Sequence, residues 1–133
     1  MRKQFSRLLL IIVSVISISA CNSEKEKIRY EITSSAPIQL DIRYINGERN
    51  QVDEKFNGSQ WSYEGEISFL NDKFGHQFRL SCDGKGPTQH SVTLKIYRGQ
   101  KLLVEETVQS KEPMHHDPTT FRSSGGVESY IEP

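Results

Sequence analysis

The sequence predicts an all-β protein, a small antiparallel immunoglobulin-like β-sandwich of about seven strands. Across residues 28–109, apolar and polar residues alternate, which is the pattern of strands that bury one face. Turn signals such as Asn46-Gly47 and Arg98-Gly99 recur about every ten residues, as they do in a two-sheet sandwich or a small barrel. No stretch of this region sustains the period of an amphipathic helix.

The first 20 residues have the layout of a secretory signal peptide. The apolar run of residues 8–20 is too short for a comfortable membrane span, which needs about 20 residues. Small residues close this run just before Cys21. A cationic flank precedes it and consists of Arg2, Lys3 and Arg7. We therefore expect residues 1–20 to direct export.

The segment Ile18-Ser19-Ala20-Cys21 resembles the lipobox of bacterial lipoproteins, in which an aliphatic and two small residues precede a cysteine. The resemblance implies a diacylglyceryl thioether on Cys21, cleavage after Ala20, and acylation of the new amino terminus by a fatty acid such as palmitate. Two or three acyl chains anchor a protein firmly, because each buried methylene contributes about 0.8 kcal/mol. We then expect a lipid anchor in the bacterial cell envelope, and Asn22 is compatible with the outer membrane. The alternative is an ordinary signal peptide, or an uncleaved anchor, with an incidental Cys21.

The mature chain would be one modest domain behind a short tether. Cleavage after Ala20 leaves 113 of the 133 residues, enough for a small core. The full chain has 17 basic and 17 acidic residues, and three basic ones lie in the signal peptide, so the mature charge is −3. That balance argues against a nucleic-acid partner, which would usually meet a basic face. Residues 21–27 are polar and aperiodic, which predicts a lipidated tether of at most about 20 Å.

The predicted sandwich domain, residues 28–109, begins with four segments of alternating residues: "IRYEITS", "IQLDIRYI", "NQVDEKF" and "QWSYEGEISF". The third segment has a thin apolar face. Trp61 in the fourth is suited to fill the centre of a small core. An alternative leaves some aromatic residues on an exposed binding face. The aromatic residues concerned are Tyr30, Tyr44, Trp61 and Tyr63.

Three further strands follow, "HQFRLSC", "SVTLKIY" and "KLLVEETV", and the last two form a hairpin. The loop between the first two contains the sequence "DGKGP". Cys82 shares its parity with Phe78 and Leu80, which predicts an inward-facing and inert thiol. With Cys21 alkylated, Cys82 has no disulfide partner in the chain.

Residues 110–133 contain prolines, paired glycines and scattered apolar residues, which predicts a flexible C-terminal tail. Within it, "VESYI" could form an edge strand. The segment "MHHD", residues 114–117, offers ligands for zinc, nickel or copper. Adjacent side chains on an extended chain point to opposite sides, so a site would need further ligands such as His76 or His90. We expect no metal and no cofactor.

The same two histidines flank one predicted strand and loop, so they could meet at one end of a sandwich. The sequence shows no nucleophile elbow and no readable pair of carboxylates. The segment "GKGPT" lacks the strand–loop–helix context and full spacing of a phosphate-binding loop. Asp53, Glu54 and Asp83 do not form the alternating run of a calcium loop. We expect no catalytic residues and no enzymatic activity.

Most of the domain also resembles the small membrane-associated accessory proteins of the MmpS type, which have a membrane-attached N terminus and a short β-sandwich. The similar pieces are residues 30–44, the strand around Trp61, and residues 91–107. The resemblance implies an accessory role beside lipid-exporting pumps. This chain would use a lipid anchor where that family has a transmembrane helix. No functional residue of the family can be carried over.

These observations favour a non-enzymatic, lipid-anchored envelope protein that displays a binding or scaffold surface to a protein or glycan partner. Its membrane contact would be the lipid on Cys21, and nucleic acid is not an expected partner. The alternative is an accessory subunit of an envelope transporter, as the MmpS-type resemblance implies.

Overall fold

The computed structural model describes residues 25–68 and 75–132, and within these ranges it contains strands and turns. The described part of the chain holds no helix that could cross a membrane. Its strands are β1 (Lys25–Ile45), β2 (Gln51–Ser68), β3 (His76–Gly86), β4 (Ser91–Arg98), β5 (Lys101–Gln109) and β6 (Phe121–Ile131). All pairings between them are antiparallel, so the predicted all-β, antiparallel class is confirmed. The predicted signal peptide, Cys21 and Phe69 lie outside the described residues.

The six strands form one sheet that nearly closes on itself. Five of them follow the order β5-β4-β1-β3-β6, and β2 pairs with the other edge of β1. The two ends of this path, β5 and β6, contact each other, which gives the sheet a barrel-like shape. The inward faces therefore enclose a single core.

The centre of β1 is bent, between residues 33 and 38, where its register with β2 shifts. The first arm of β1 pairs with β4 and the second arm pairs with β3. The Tyr30 hydroxyl donates to the Ile45 carbonyl over 2.6 Å, so the second arm returns alongside the first. Pro37 lies in the bend without a register partner, which suits a residue that lacks an N–H. β2 follows the bend at Gly58, whose φ of +149° favours glycine.

The described residues form six strands and not about seven, because this bend merges four predicted segments into two strands and β6 adds a strand that was not counted. The segments "IRYEITS" and "IQLDIRYI" are the two arms of β1, and "NQVDEKF" and "QWSYEGEISF" are the two arms of β2. The two predicted segments of β1 are separated only by residues 35–37. The backbone accommodates these extra residues as an irregularity within a continuous strand.

The segment 110–133, predicted as a flexible tail, contributes β6, which contains "VESYI" and pairs with β3 along its whole length. Val127 and Ile131 of β6 are buried in the core. Gly125 occupies the inward position before Val127, and a Cβ built there would lie 3.0 Å from Val108 of β5. The missing side chain lets β5 approach β6, and it also removes the apolar residue that would have completed the alternation in the sequence.

The core follows the predicted parity of the strands. Tyr44 lies at the centre of an aromatic group, with ring centroids 5.3 Å from Trp61 and 4.7 Å from Tyr63. Tyr30, Tyr44 and Trp61 are buried, so their assignment to the core is confirmed and an exposed binding face made of these three is wrong. Tyr63 is half-buried. The other buried apolar residues are Ile28, Ile32, Ile38, Leu40, Ile42, Ile67, Phe78, Leu80, Cys82, Val92, Leu94, Ile96, Val127 and Ile131.

Candidate functional site

The sheet has two ends, which differ in their distance from the start of β1. The end that contains Lys25, here called the anchor end, also carries the β4–β5 turn, since the Gly99 amide donates to the Lys27 carbonyl over 2.8 Å. The opposite end, here called the distal end, contains the β1 bend and the loop 87–90. The arm from Lys25 to Thr33 separates the two ends by about 27 Å, at 3.4 Å per residue.

A cleft of about 680 Å³ opens at the distal end, and we call it the distal cleft. Its volume falls within the range of about 300–1,000 Å³ that is common for ligand sites. The bend of β1, the end of β3 and the segment that leads into β6 surround it. Its lining residues are Pro37, Ile38, Gln39, Asn57, Gly58, Lys85, Gly86, Pro87, Asp117, Thr119, Thr120 and Arg122.

One cross-strand row forms the floor of the distal cleft. Asn57 pairs with Gln39, Gln39 pairs with Lys85, and Lys85 pairs with Arg122. Directly opposed residues of antiparallel strands share a face, so these four side chains project to the same side. The row continues beyond β6, because Lys111 forms an isolated bridge with Arg122. We call Lys85, Arg122 and Lys111 the cationic row.

The charges around the cationic row are incompletely balanced. Arg122 forms an ion pair with Asp117, with 3.6 Å between Nη2 and Oδ2. Lys85 and Lys111 have no ion pair with any carboxylate in residues 25–68 and 75–132. Like charges that face each other across strands are destabilising. The facing cations repel one another only weakly, because all three side chains are exposed and Asp117 balances the charge of Arg122.

An adjoining hollow of about 420 Å³ shares the cationic row and also contains two carboxylates. Asp41 and Asp83 face each other one row further along β1 and β3. Asp83 accepts a hydrogen bond from the Ser124 hydroxyl over 2.8 Å. The cationic row thus lies beside the carboxylates of Asp41 and Asp83. The negative charge of an anion bound at the row must therefore not extend as far as these two carboxylates.

His90 fastens the strands beneath the distal cleft. Its Nδ1–H donates to the Thr88 carbonyl over 3.0 Å, which leaves Nε2 to accept from the Ser123 hydroxyl over 2.9 Å. Its backbone N–H donates to the Ser110 hydroxyl, and the Ser110 N–H donates to the His90 carbonyl. His90 and Ser123 are each only 4% exposed. The imidazole therefore joins the β3–β4 loop to β6 inside the protein.

β3 approaches the bend of β1 closely at this end. A Cβ at Gly84 would lie 2.5 Å from the Ser123 Oγ, and a Cβ at Gly86 would lie 2.7 Å from the Ile38 Cγ2. Larger residues would push β3 away from β1 or β6. The two glycines of "GKG" thus serve close packing at the end of a strand.

The two candidate histidines do not meet. His76 begins β3 at the anchor end, where its Nε2 lies 3.1 Å from an Arg49 guanidinium nitrogen. His90 contacts Ser123, which pairs with Gly84, eight positions further along β3. That separation corresponds to about 27 Å along the strand. The idea that the two imidazoles share one end of the domain is wrong.

The "MHHD" segment forms a tight turn, in which the Asp117 N–H donates to the Met114 carbonyl over 2.9 Å. His115 and His116 are both exposed. Within the described ranges, no three His, Cys, Asp or Glu residues are grouped as a metal site would require.

Cys82 faces the core as its parity predicted and is 4% exposed. Burial, assisted by the charge of Asp83, raises the pKa of the thiol from 9.0 to about 12. The thiolate is therefore strongly disfavoured in the folded protein, and the prediction of an inward-facing thiol is confirmed.

Sequence reasoning missed the cationic row. Lys85 lay in a predicted loop, and Lys111 and Arg122 lay in a predicted tail, so nothing placed them together. Arg122 and Val127 lie on opposite faces of β6, so the alternation could have placed Arg122 on the outer face. That inference requires β6 to be recognised as a strand first.

Comparison with known proteins adds no relative: no protein-family model matches the chain, and no curated protein matches it.

Proposed function

We propose that this chain is a non-enzymatic, lipid-anchored protein of the bacterial cell envelope that holds a protein or glycan partner in its distal cleft. The lipobox-like segment Ile18–Cys21 and the short apolar run before it support the anchor. Asn22 favours the outer membrane as its place. The proposal rests mainly on one observation, that β1 starts at the anchor end and the cleft opens at the other end.

The mechanism is display. Residues 25–27, predicted as part of the tether, belong to β1, so only residues 22–24 connect Cys21 to the strand. They span at most about 14 Å, so the anchor end stays near the bilayer. The first arm of β1 then carries the distal cleft about 27 Å further out. A partner can enter the cleft without displacing lipid.

As part of this proposal, the two arms of β1 belong to the two layers of an immunoglobulin-like sandwich. The contact between these layers holds the distal cleft in position. Tyr30 on the first arm and Tyr44 on the second have ring centroids 5.8 Å apart. Such edge contacts between aromatic rings add to the stabilisation from area burial. The core therefore holds the cleft at a fixed distance from the anchor.

A binding role fits the chemistry of the distal end better than catalysis does. The Ser123–His90 hydrogen bond has the atoms of a nucleophile and a base, but both side chains are buried. The second imidazole nitrogen contacts a carbonyl oxygen, where a catalytic triad places a carboxylate. These two residues are better suited to hold β6 in place.

Site-specific photocrosslinking in native envelopes tests this function. A crosslinking residue replaces Thr119 at the rim of the distal cleft, and a matched one replaces Lys101 in β5 beside the anchor-end turn. We expect a discrete adduct with an envelope component from position 119 and none of that adduct from position 101. Identical adducts from both positions, or none from position 119, would contradict the proposal. Co-purification with an inner-membrane pump would favour the alternative of a transporter accessory subunit.

A further inference from the structure

We propose that the distal cleft binds an anionic saccharide, whose single carboxylate or phosphate group lies against the cationic row. This inference rests on the proposed function, since it names the ligand class of the same cleft. It follows from the register of the strands, the uncharged part of the cleft lining and the position of the nearby carboxylates.

The cationic row carries more positive charge than its one carboxylate partner, Asp117, balances. Lys85 and Arg122 face each other on β3 and β6 in the distal cleft, Lys111 bridges Arg122 from outside the strands and lines the adjoining hollow, and only Arg122 has a carboxylate partner within the described residues. Lysine and arginine side chains that converge on one point form strong, charge-assisted hydrogen bonds to carboxylate and phosphate oxygens. A bound anion would turn a repulsive arrangement into an attractive one.

Outside the charged residues Lys85, Arg122 and Asp117, the lining of the distal cleft is neutral. The amides of Gln39 and Asn57 and the hydroxyls of Thr119 and Thr120 both donate and accept hydrogen bonds. Sugar hydroxyls also do both, so this lining matches them. Pro37 and Pro87 add apolar surface against which the C–H groups of a sugar ring can pack.

An acidic peptide is the rival occupant of the distal cleft. β1 and β3 each pair on both sides along the floor, so neither strand offers a free edge to an extended backbone there. The edge of β2 that is unpaired within the described residues lies at the margin of the floor, at Asn57. The opposed pair Asp41 and Asp83 lies one row beyond Lys85. A chain with many negative charges would meet that pair. A ligand with one anionic group among neutral hydroxyls would not.

Calorimetric titration of the full chain in detergent micelles at low ionic strength tests the inference. The probes are cellobiouronic acid, which carries one carboxylate, cellobiose 6-phosphate, neutral cellobiose and a tetra-aspartate peptide. We expect one or both acidic disaccharides to bind at least about tenfold more tightly than cellobiose, because hydrogen bonds to charged groups are the stronger ones. The two acidic arms show whether the site takes carboxylate or phosphate.

Variants locate the binding. The double variant Lys85→Met and Lys111→Met should lose the advantage of the acidic disaccharides, about tenfold or more. The control double variant Lys95→Met and Lys101→Met removes the same amount of positive charge elsewhere on the protein. It should keep the higher affinity for the acidic disaccharides. Because Lys85 and Lys111 are exposed and form no ion pair within the described residues, the thermal midpoint of the first double variant should stay close to that of the parent chain. Lost binding would then not reflect unfolding.

Four results would overturn the inference: equal binding of cellobiose, tetra-aspartate binding as tight as the acidic disaccharides, no binding of any saccharide, or unchanged binding in the Lys85→Met and Lys111→Met variant. If no saccharide binds but the adduct at position 119 forms, the ligand class is wrong and the proposed function stands. If that adduct is absent, the proposed function itself fails.

Discussion

His90 shows how one side chain holds the distal end together. Its two ring nitrogens bond a loop carbonyl and the Ser123 hydroxyl in a site from which water is excluded. Buried polar groups that lose a partner keep the cost of their desolvation. The geometry of the distal cleft therefore depends on a residue that does not line it.

We predict that His90→Phe lowers the free energy of unfolding by about 1–3 kcal/mol, because it leaves Thr88 and Ser123 without their partner. Urea denaturation monitored by Trp61 fluorescence measures the change. The control His115→Phe alters an exposed side chain and should stay within about 0.5 kcal/mol of the parent. Equal stability of the two variants would contradict the role given to His90.

Cys82 gives a second prediction at this scale, from the pKa that burial raises to about 12. Folding favours the neutral thiol, so its contribution to stability is full below pH 9.0 and is lost as the pH rises towards 12. We expect a Cys21→Ser chain to resist thiol labelling at pH 8 and to label fully in denaturant. Stoichiometric labelling of the folded chain at pH 8 would contradict the burial of Cys82.

At the scale of elements, β6 is the strand whose existence most changes the sequence-based interpretation. Ile131 is buried at its end and packs in the same core as β1 and β3. We predict that Ile131→Ala costs about 2–4 kcal/mol of unfolding free energy, as large-to-small core substitutions do. The exposed neighbour Glu132, changed to Ala, is the control. A mobile tail would make the two variants equally stable.

Sequence patterns were most reliable where alternation was complete. β4 alternates without interruption, and its three inward residues Val92, Leu94 and Ile96 are all fully buried. In β6, Gly125 interrupts the apolar face because β5 packs against it, so the pattern was too sparse to indicate a strand. Periodicity reports the faces of a strand, but it carries no information about backbone packing where a side chain is absent.

The distal cleft lay beyond sequence reasoning for a different reason. In its cationic row, Lys85 lies more than 25 positions along the chain from both Lys111 and Arg122. Only the register of β3 with β6 brings them together, and register is set by the whole sheet. Likewise, the bend that walls the cleft falls between two separately predicted segments, because the small and restrictive residues 35–37 interrupt the alternation.

At the scale of the whole molecule, the long β1–β2 hairpin sets the relation between anchor and cleft. Both strands bend at the distal end, so the turn at residues 46–50 returns to the anchor end. The closure between β5 and β6 then completes the core on the other side. Under the proposed function, the tether lies at one end of the domain and the partner binds at the other.

The most direct test of this account is metabolic labelling of the full chain with an alkyne palmitate in a didermal bacterium. We predict that the parent chain and a Cys82→Ala variant take up the label and sediment with membranes, while Cys21→Ser does neither. Label that is absent from the parent chain, or that persists in Cys21→Ser, would contradict the lipid anchor and with it the assignment of the two ends.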